Sequence, residues 1–192
     1  MYKPKVYAVI GFILMTAVFC LLFAWASKPP VPRPFVAALP AVPTAPDPTN
    51  KQYVAALDVA RVFGRSQGCA EADPKLINAV ATEAAKADLD PRVLAATVAV
   101  ESSCNPWAVS SRGAIGLTQV EAAIWKDKFD FAGSVNLLNP ADNLRAGATI
   151  EGSLIKQFGL VPGVRRYNGL GVDCQTCDSQ YVSKILTLAG RH

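Results

Sequence analysis

Apolar and polar positions fall into three regimes along the chain. Val6 to Ala26 carries no charged residue and is apolar almost throughout. A run of about 20 such residues is long enough to cross a bilayer as one helix. Lys28 to Asn50 shows no apolar periodicity and is punctuated by Pro29, Pro30, Pro32, Pro34, Pro40, Pro43, Pro46 and Pro48. That composition favours extended polyproline II and cannot build a packed core. At about 3.1 Å per residue, the segment reaches about 70 Å when fully extended. From Lys51 onward apolar residues recur at helical spacing, and few stretches alternate as strands do. The expected organisation is a membrane anchor or uncleaved signal over 1–27, a proline-rich linker over 28–50 and a folded, mainly α domain over 51–192.

Helix starts in the third regime are marked by capping chemistry. Asp73-Pro74, Asp90-Pro91 and Asn139-Pro140 each place a capping side chain before a proline suited to the first helical position. They predict helices over Pro74–Lys86, Pro91–Ser103 and Pro140 to about Phe158. Gln52–Phe63 has helical spacing and stops at Gly64, and Asp178 caps a last helix through Leu188. Gly113–Gln119 reads as a loop opening a helix that continues to about Trp125. No internal repeat is present.

The net charge of +4 alters this picture little. Lys3, Lys5, Lys28 and Arg33 face Asp47 alone in the N-terminal appendage, so most of the surplus sits there. Nothing in the folded part reads as the clustered basic face of a nucleic-acid binder. Lys3 and Lys5 ahead of the apolar run favour a cytoplasmic N-terminus and an exported remainder. Ala24-Trp25-Ala26 has the form of a signal-peptidase site, but the apolar run is longer than a usual signal core, and retention is the preferred reading. The expected location is the inner membrane, single-pass, with the folded domain in the periplasm. Cys20 follows Phe19 and lacks the small preceding residue of a lipoprotein site.

The one histidine is His192, at the chain end. Nucleophilic sites built on Ser-His-Asp or Cys-His, and histidine-rich zinc sites, are therefore poor readings. Acid/base chemistry falls to carboxylates. Cys69, Cys104, Cys174 and Cys177 are an even set in an oxidising compartment, which favours two disulfides. Cys69–Cys104 with Cys174–Cys177 is the preferred pairing. A four-thiolate zinc site and a redox C-x-x-C are the rivals. Only one C-x-x-C is present, and it follows glycine-rich loop sequence instead of a strand.

Glu101 ends the helix Pro91–Ser103, whose preceding residues are apolar nearly all round. Desolvation and the negative end of the helix dipole both favour its protonated form. A carboxyl group that holds its proton near neutral pH can act as a general acid, which glycosidic bond cleavage needs. The bland alternative is a glutamate at a helix exit pointing into water.

The surrounding sequence decides between them. Glu101-Ser102, Asn105-Pro106, Ala108-Val109-Ser110 and Gly113-Ala114-Ile115-Gly116-Leu117-Thr118-Gln119 follow one another within the single stretch 101–119. Then come Asn139-Pro140-x-x-Asn143-Leu144-x-x-Gly147, Arg166-Tyr167-Asn168-Gly169 and Tyr181-Val182-x-Lys184-Ile185. In this order the motifs resemble those of the lytic transglycosylases of the SLT type, related to goose-type lysozyme, and they cover Val93 to Leu186. The resemblance implies a lysozyme-like, mainly helical catalytic domain with a glycan groove. It implies that Glu101 is the single acid/base, that Ser110, Gly116, Gln119, Tyr167 and Asn168 contact substrate, and that Gly113 and Gly116 let backbone approach the glycan. Packing is the preferred reading for Tyr181 and binding for Tyr167. Thr118 departs from the family's methionine, which makes the apolar shelf smaller or more polar. Arg166 departs from its alanine, Gly169-Leu170-Gly171 from its A-G pair, and Glu121 from an apolar residue.

The implied substrate is peptidoglycan glycan strands. The β-1,4 bond between N-acetylmuramic acid and N-acetylglucosamine is cleaved, with 1,6-anhydromuramyl ends and no metal or cofactor. The alternatives are a hydrolytic muramidase using Glu121 as a second carboxylate, a non-catalytic peptidoglycan-binding module, and a structural part of an envelope-spanning machine of conjugation, secretion or phage entry.

Overall fold

The computed structural model describes residues 49–125, 135–169 and 179–191. The expected anchor at Val6–Ala26, nearly all of the proline-rich linker, Cys174, Cys177 and Asp178 lie outside these residues. No helix among the described residues is long and apolar enough to cross a membrane.

The described part is helical. Helix α1 (Lys51–Gly64) is followed by a 3-10 turn (Gln67–Cys69), α2 (Pro74–Lys86), α3 (Pro91–Ser102), the short α4 (Ala122–Trp125), α5 (Pro140–Phe158), α6 (Leu160–Tyr167) and α7 (Ser179–Ala189). Capping side chains fix the starts. Asn50 accepts from the amides of Gln52 and Tyr53, Asp73 from Lys75, Asp90 from Arg92, and Asn139 from Ala141 and Asp142. Each Asx-Pro pair therefore satisfies an amide that the helix leaves unpaired, and it places proline where no amide is needed.

Helix α3 is the centre of the domain. Val93 through Ala99 are buried without interruption, as expected of a helix apolar on every side. It packs against α1, α2 and α7, and the core around it includes Val59, Phe63, Val80, Leu144, Val182 and Ile185. Helix α5 lies against α2 and α6.

Gly113–Gln119 forms the expected loop, tightened by isolated bridges Val109–Ile115 and Ile115–Val120, and the helix it leads to, α4, is a single turn ending at Trp125. Among the described residues no strand is longer than these bridges. Helix α6, for which the sequence reading offered no element, contains Pro162 and Gly163. Pro162 sits in the first turn, where its missing amide costs nothing. Gly163 lets α6 close onto α5, because a Cβ there would lie 2.6 Å from the Cα of Ile155.

Candidate functional site

The site begins at the C-terminal end of α3. The helix ends in two residues with left-handed backbone, Ser103 at φ 51° and Cys104 at φ 63°. Cys104 is disulfide-bonded to Cys69, whose Cα is 5.3 Å away, so the chain leaving the helix is tied to the 3-10 turn. Beside the bridge, Gly68 packs so tightly on Ser103 that a Cβ would meet the serine Cβ at 2.5 Å. The Ser102 hydroxyl lies 2.9 Å from the carbonyl oxygen of Leu117, linking the helix end to the loop that follows.

That loop is built around one asparagine. Asn143 of α5 is fully buried. Its amide nitrogen donates to the carbonyls of Ile115 (2.7 Å) and Leu137 (3.3 Å). Its side-chain oxygen accepts from the amide of Thr118 (3.0 Å) and the hydroxyl of Thr118 (2.9 Å). Gly116 has φ 78°, and a Cβ there would strike the Asn143 side chain at 2.5 Å. Gly116 is thus required by the packing of the loop on α5, and it is not among the residues that line the cleft. Thr118 is likewise not a shelf in the groove. It is fully buried, and a Cβ on Gly147 would meet its hydroxyl at 2.4 Å.

With the loop held this way, a cleft of about 210 Å³ opens beside Glu101. Ser110, Gln119, Tyr167 and Asn168 all line it, together with Arg112, Glu121 and Trp125. Ser110 Oγ accepts from the amides of Arg112 (3.3 Å) and Ala114 (3.0 Å), so it also shapes the turn. The Gln119 amide donates to the carbonyls of Ala108 (3.1 Å) and Gly116 (3.0 Å), in a residue whose φ is 48°. Tyr167 stacks on Trp125 with centroids 6.4 Å apart and donates 2.7 Å to the backbone oxygen of Thr118. Arg112 and Glu121 face each other as an ion pair at 3.6 Å. Among the described residues no group of three or more His, Cys, Asp or Glu side chains gathers closely enough to hold a metal ion.

Glu101 is mostly buried, and burial pushes its carboxyl group above its ordinary value. The Tyr181 hydroxyl donates to it at 2.6 Å, which pulls the other way, and the charge of Glu121 raises it again. Tyr181, expected to be a packing residue, is thus both buried in the core and bonded to the carboxyl group. Tyr167 does not make that contact. Sequence reasoning also passed over Glu151 of α5, which is fully buried and raised to about 8 by burial and by the charge of Glu101.

The chemistry available is that of an acid poised in a polar cleft: a carboxyl group held by one hydroxyl, with amide, hydroxyl and aromatic groups opposite. Comparison with known proteins agrees. Residues 78–171 match the family model of the Transglycosylase SLT domain, a segment containing Glu101, Ser110, Gln119, Tyr167 and Asn168. A protein named Transglycosylase from Enterobacteria phage PRD1 is 34% identical over 80 residues, which is 42% of this chain and 29% of that protein. The matched stretch is thus under a third of the phage protein's length. Residues 78–171, which include the acid-bearing cleft, therefore resemble the SLT-type lytic transglycosylases.

Proposed function

We propose that the chain cleaves the β-1,4 bond between N-acetylmuramic acid and N-acetylglucosamine in peptidoglycan, with Glu101 as single acid and base. The observation that carries this reading is the state of Glu101. It is a mostly buried carboxyl group lining the cleft and held by Tyr181. Its raised affinity for a proton suits it to protonate a poor leaving oxygen. After proton donation the carboxylate is the base that takes the proton of the sugar's C6 hydroxyl, closing a 1,6-anhydro ring. The substrate's acetamido group stabilises the cation in between, as in the substrate-assisted exceptions to two-carboxylate hydrolysis.

Ser110, Gln119, Tyr167 and Asn168 border the place where the sugar flanking the scissile bond would lie. The polarity of the cleft suits a glycan, which presents many hydroxyl and amide groups. We assign the apolar N-terminal run to a membrane anchor and the proline-rich segment to a tether, which would place the domain in the periplasm within reach of the wall. That assignment rests on the sequence of residues outside the described part.

The test is incubation of the protein with purified peptidoglycan sacculi and mass analysis of what is released. The expected result is soluble muropeptides with the parent chain. Glu101→Gln, which keeps the shape and loses the proton, should slow release by at least ~10²-fold. A folded Glu101→Gln that retains substantial turnover would sink the assignment, and failure of the parent to release any product would favour the non-catalytic binding module.

A further inference from the structure

Glu151 is the buried ionisable group that the proposed reaction leaves unused. It lies on α5 with no accessible surface. The Thr97 hydroxyl donates to its Oε1 at 2.8 Å, and its Oε2 has no hydrogen-bond partner among the described protein atoms. Thr97 is four residues before Glu101 on α3, so the two lie one turn apart on the same face of the helix. Along α5, Asn143, Gly147 and Glu151 form a stripe at four-residue spacing. Asn143 and Gly147 support the cleft loop, and Glu151 reaches the underside of α3.

Among the described residues no cation pairs with Glu151. Around it, α3 contributes Thr97 and Glu101, α6 contributes Tyr167, and α7 contributes Tyr181. Both tyrosines are buried and sense the charges of Glu101 and Glu151. The ionisable groups of α2 lie elsewhere: Lys75 is partly exposed, and Glu83 pairs with Lys86. On α6, Arg166 lies over the ring of Phe158 and Arg165 is partly exposed. An ionised carboxylate with one unpaired oxygen in such a place is far costlier than its neutral form.

We propose that Glu151 is a positioning residue for the acid: it sits as a neutral carboxyl group beneath the catalytic helix, and Glu101 and Glu151 together carry at most one negative charge while the enzyme works. The role in catalysis rests on the transglycosylase reading; the shared charge does not. Whenever Glu101 has released its proton, Glu151 keeps its own. The anion that must recover a proton from the C6 hydroxyl is then Glu101 alone, at the cleft, and no second charge accumulates in the core. Coupling of this kind is reciprocal, so each group's titration reports the charge of the other.

The experiment follows the carboxyl carbons of 13C-labelled glutamate in the full chain by NMR across pH, in the parent, Glu101→Gln and Glu151→Gln. The signal lost in Glu151→Gln identifies the residue. It should titrate near pH 8 in the parent, and it should move to lower pH in Glu101→Gln, where the neighbouring charge is gone. Thermal stability gives a second readout. The folded state holds this proton up to about pH 8, whereas an ordinary glutamate releases it near 4.5. Stability therefore falls as pH rises between those values, and the fall should be shallower in Glu151→Gln.

A Glu151 signal titrating in the ordinary range of ~4–5, or one unmoved by Glu101→Gln, would overturn the proposal. Should Glu151→Gln not fold, the parent and Glu101→Gln suffice. A glutamate titrating near pH 8 that drops in Glu101→Gln supports the proposal, and the absence of one overturns it. None of these readouts needs glycan cleavage. A chain inactive on sacculi with a coupled pair would therefore refute the proposed activity and leave the coupling standing.

Discussion

The hydroxyl of Tyr181 donates a 2.6 Å hydrogen bond to Oε1 of Glu101, joining the last helix to the end of the central one across 80 residues of sequence. The bond opposes burial, which otherwise raises the carboxyl group's affinity for its proton. Tyr181→Phe removes the hydroxyl and keeps the buried ring. Glu101 must then hold its proton to higher pH. An enzyme whose acid must be protonated loses activity as pH rises through that group's pKa, so the alkaline limb of the rate profile should move upward. The rate at the optimum should fall about tenfold, because a general acid contributes only when it is aimed. A pH series of release from sacculi measures both, and an unmoved alkaline limb would show that the bond is not made in solution.

The helical framework was readable because it rests on local chemistry. Asp73, Asp90 and Asn139 each precede a proline, and each caps the helix expected of it. Helix α6 was not readable, since Pro162-Gly163 after Gly159 has the composition of a break. Its formation depends on the Gly163 contact with α5, a tertiary fact. Gly113–Gln119 was readable as a loop ahead of a helix reaching Trp125, but its bracing by Asn143 from 25 or more residues away was not.

The same division holds in the cleft. Glu101, Ser110 and Gln119 lie on one continuous motif, and the fold brings Tyr167 and Asn168 to them. The contact of Tyr181 with Glu101 and the burial of Glu151 carry no sequence signal. A tyrosine on an apolar face reads as packing. A glutamate in a stripe with Asn143 and Gly147 reads as a polar helix face.

Asn143 is the residue on which the cleft loop hangs. Asn143→Ala leaves the Thr118 amide without its partner inside the core and leaves the Ile115 carbonyl with the Val120 amide alone. A buried polar group left unpaired costs about 1–3 kcal/mol, so the loss should be about that size. Denaturant unfolding should register this as a lower midpoint, and activity should fall with it because Gln119 and the loop lose their support. Wild-type stability in a folded Asn143→Ala would contradict the bracing role.

The disulfide makes an independent prediction. Cys69–Cys104 closes a sequence separation of 35 and anchors the turn three residues after Glu101. Breaking it with Cys69→Ser/Cys104→Ser should destabilise the domain by about 2–5 kcal/mol and lower the melting temperature. The rate of glycan cleavage should drop as well, since the end of the central helix is then held by its packing, the Ser102 contact and the Tyr181 bond without the covalent tie. Thermal unfolding beside the activity assay separates the two effects. An unchanged melting temperature would show that the bridge contributes nothing to the fold.

The last prediction concerns the product. Inverting hydrolysis needs a base about 6.5–9.5 Å from the acid, with room for a water between them, and a retaining nucleophile sits about 5–5.5 Å away. Glu101 and Glu121 are the carboxylates among the residues lining the cleft, and Glu121 faces Arg112 in an ion pair at 3.6 Å. The sugar's own C6 hydroxyl is meanwhile tethered beside the reacting carbon, and tethering is worth orders of magnitude in effective concentration. Glycan ends should therefore be 1,6-anhydro, lighter by one water, about 18 Da, than the hydrated ends of two-carboxylate hydrolysis. Glu121→Gln should leave that product type unchanged and alter the rate by less than ~10-fold, within the range of a lost contact and below that of a lost acid or base. Hydrated ends in the parent that disappear in Glu121→Gln would instead make Glu121 the base for water and the chain a hydrolytic muramidase.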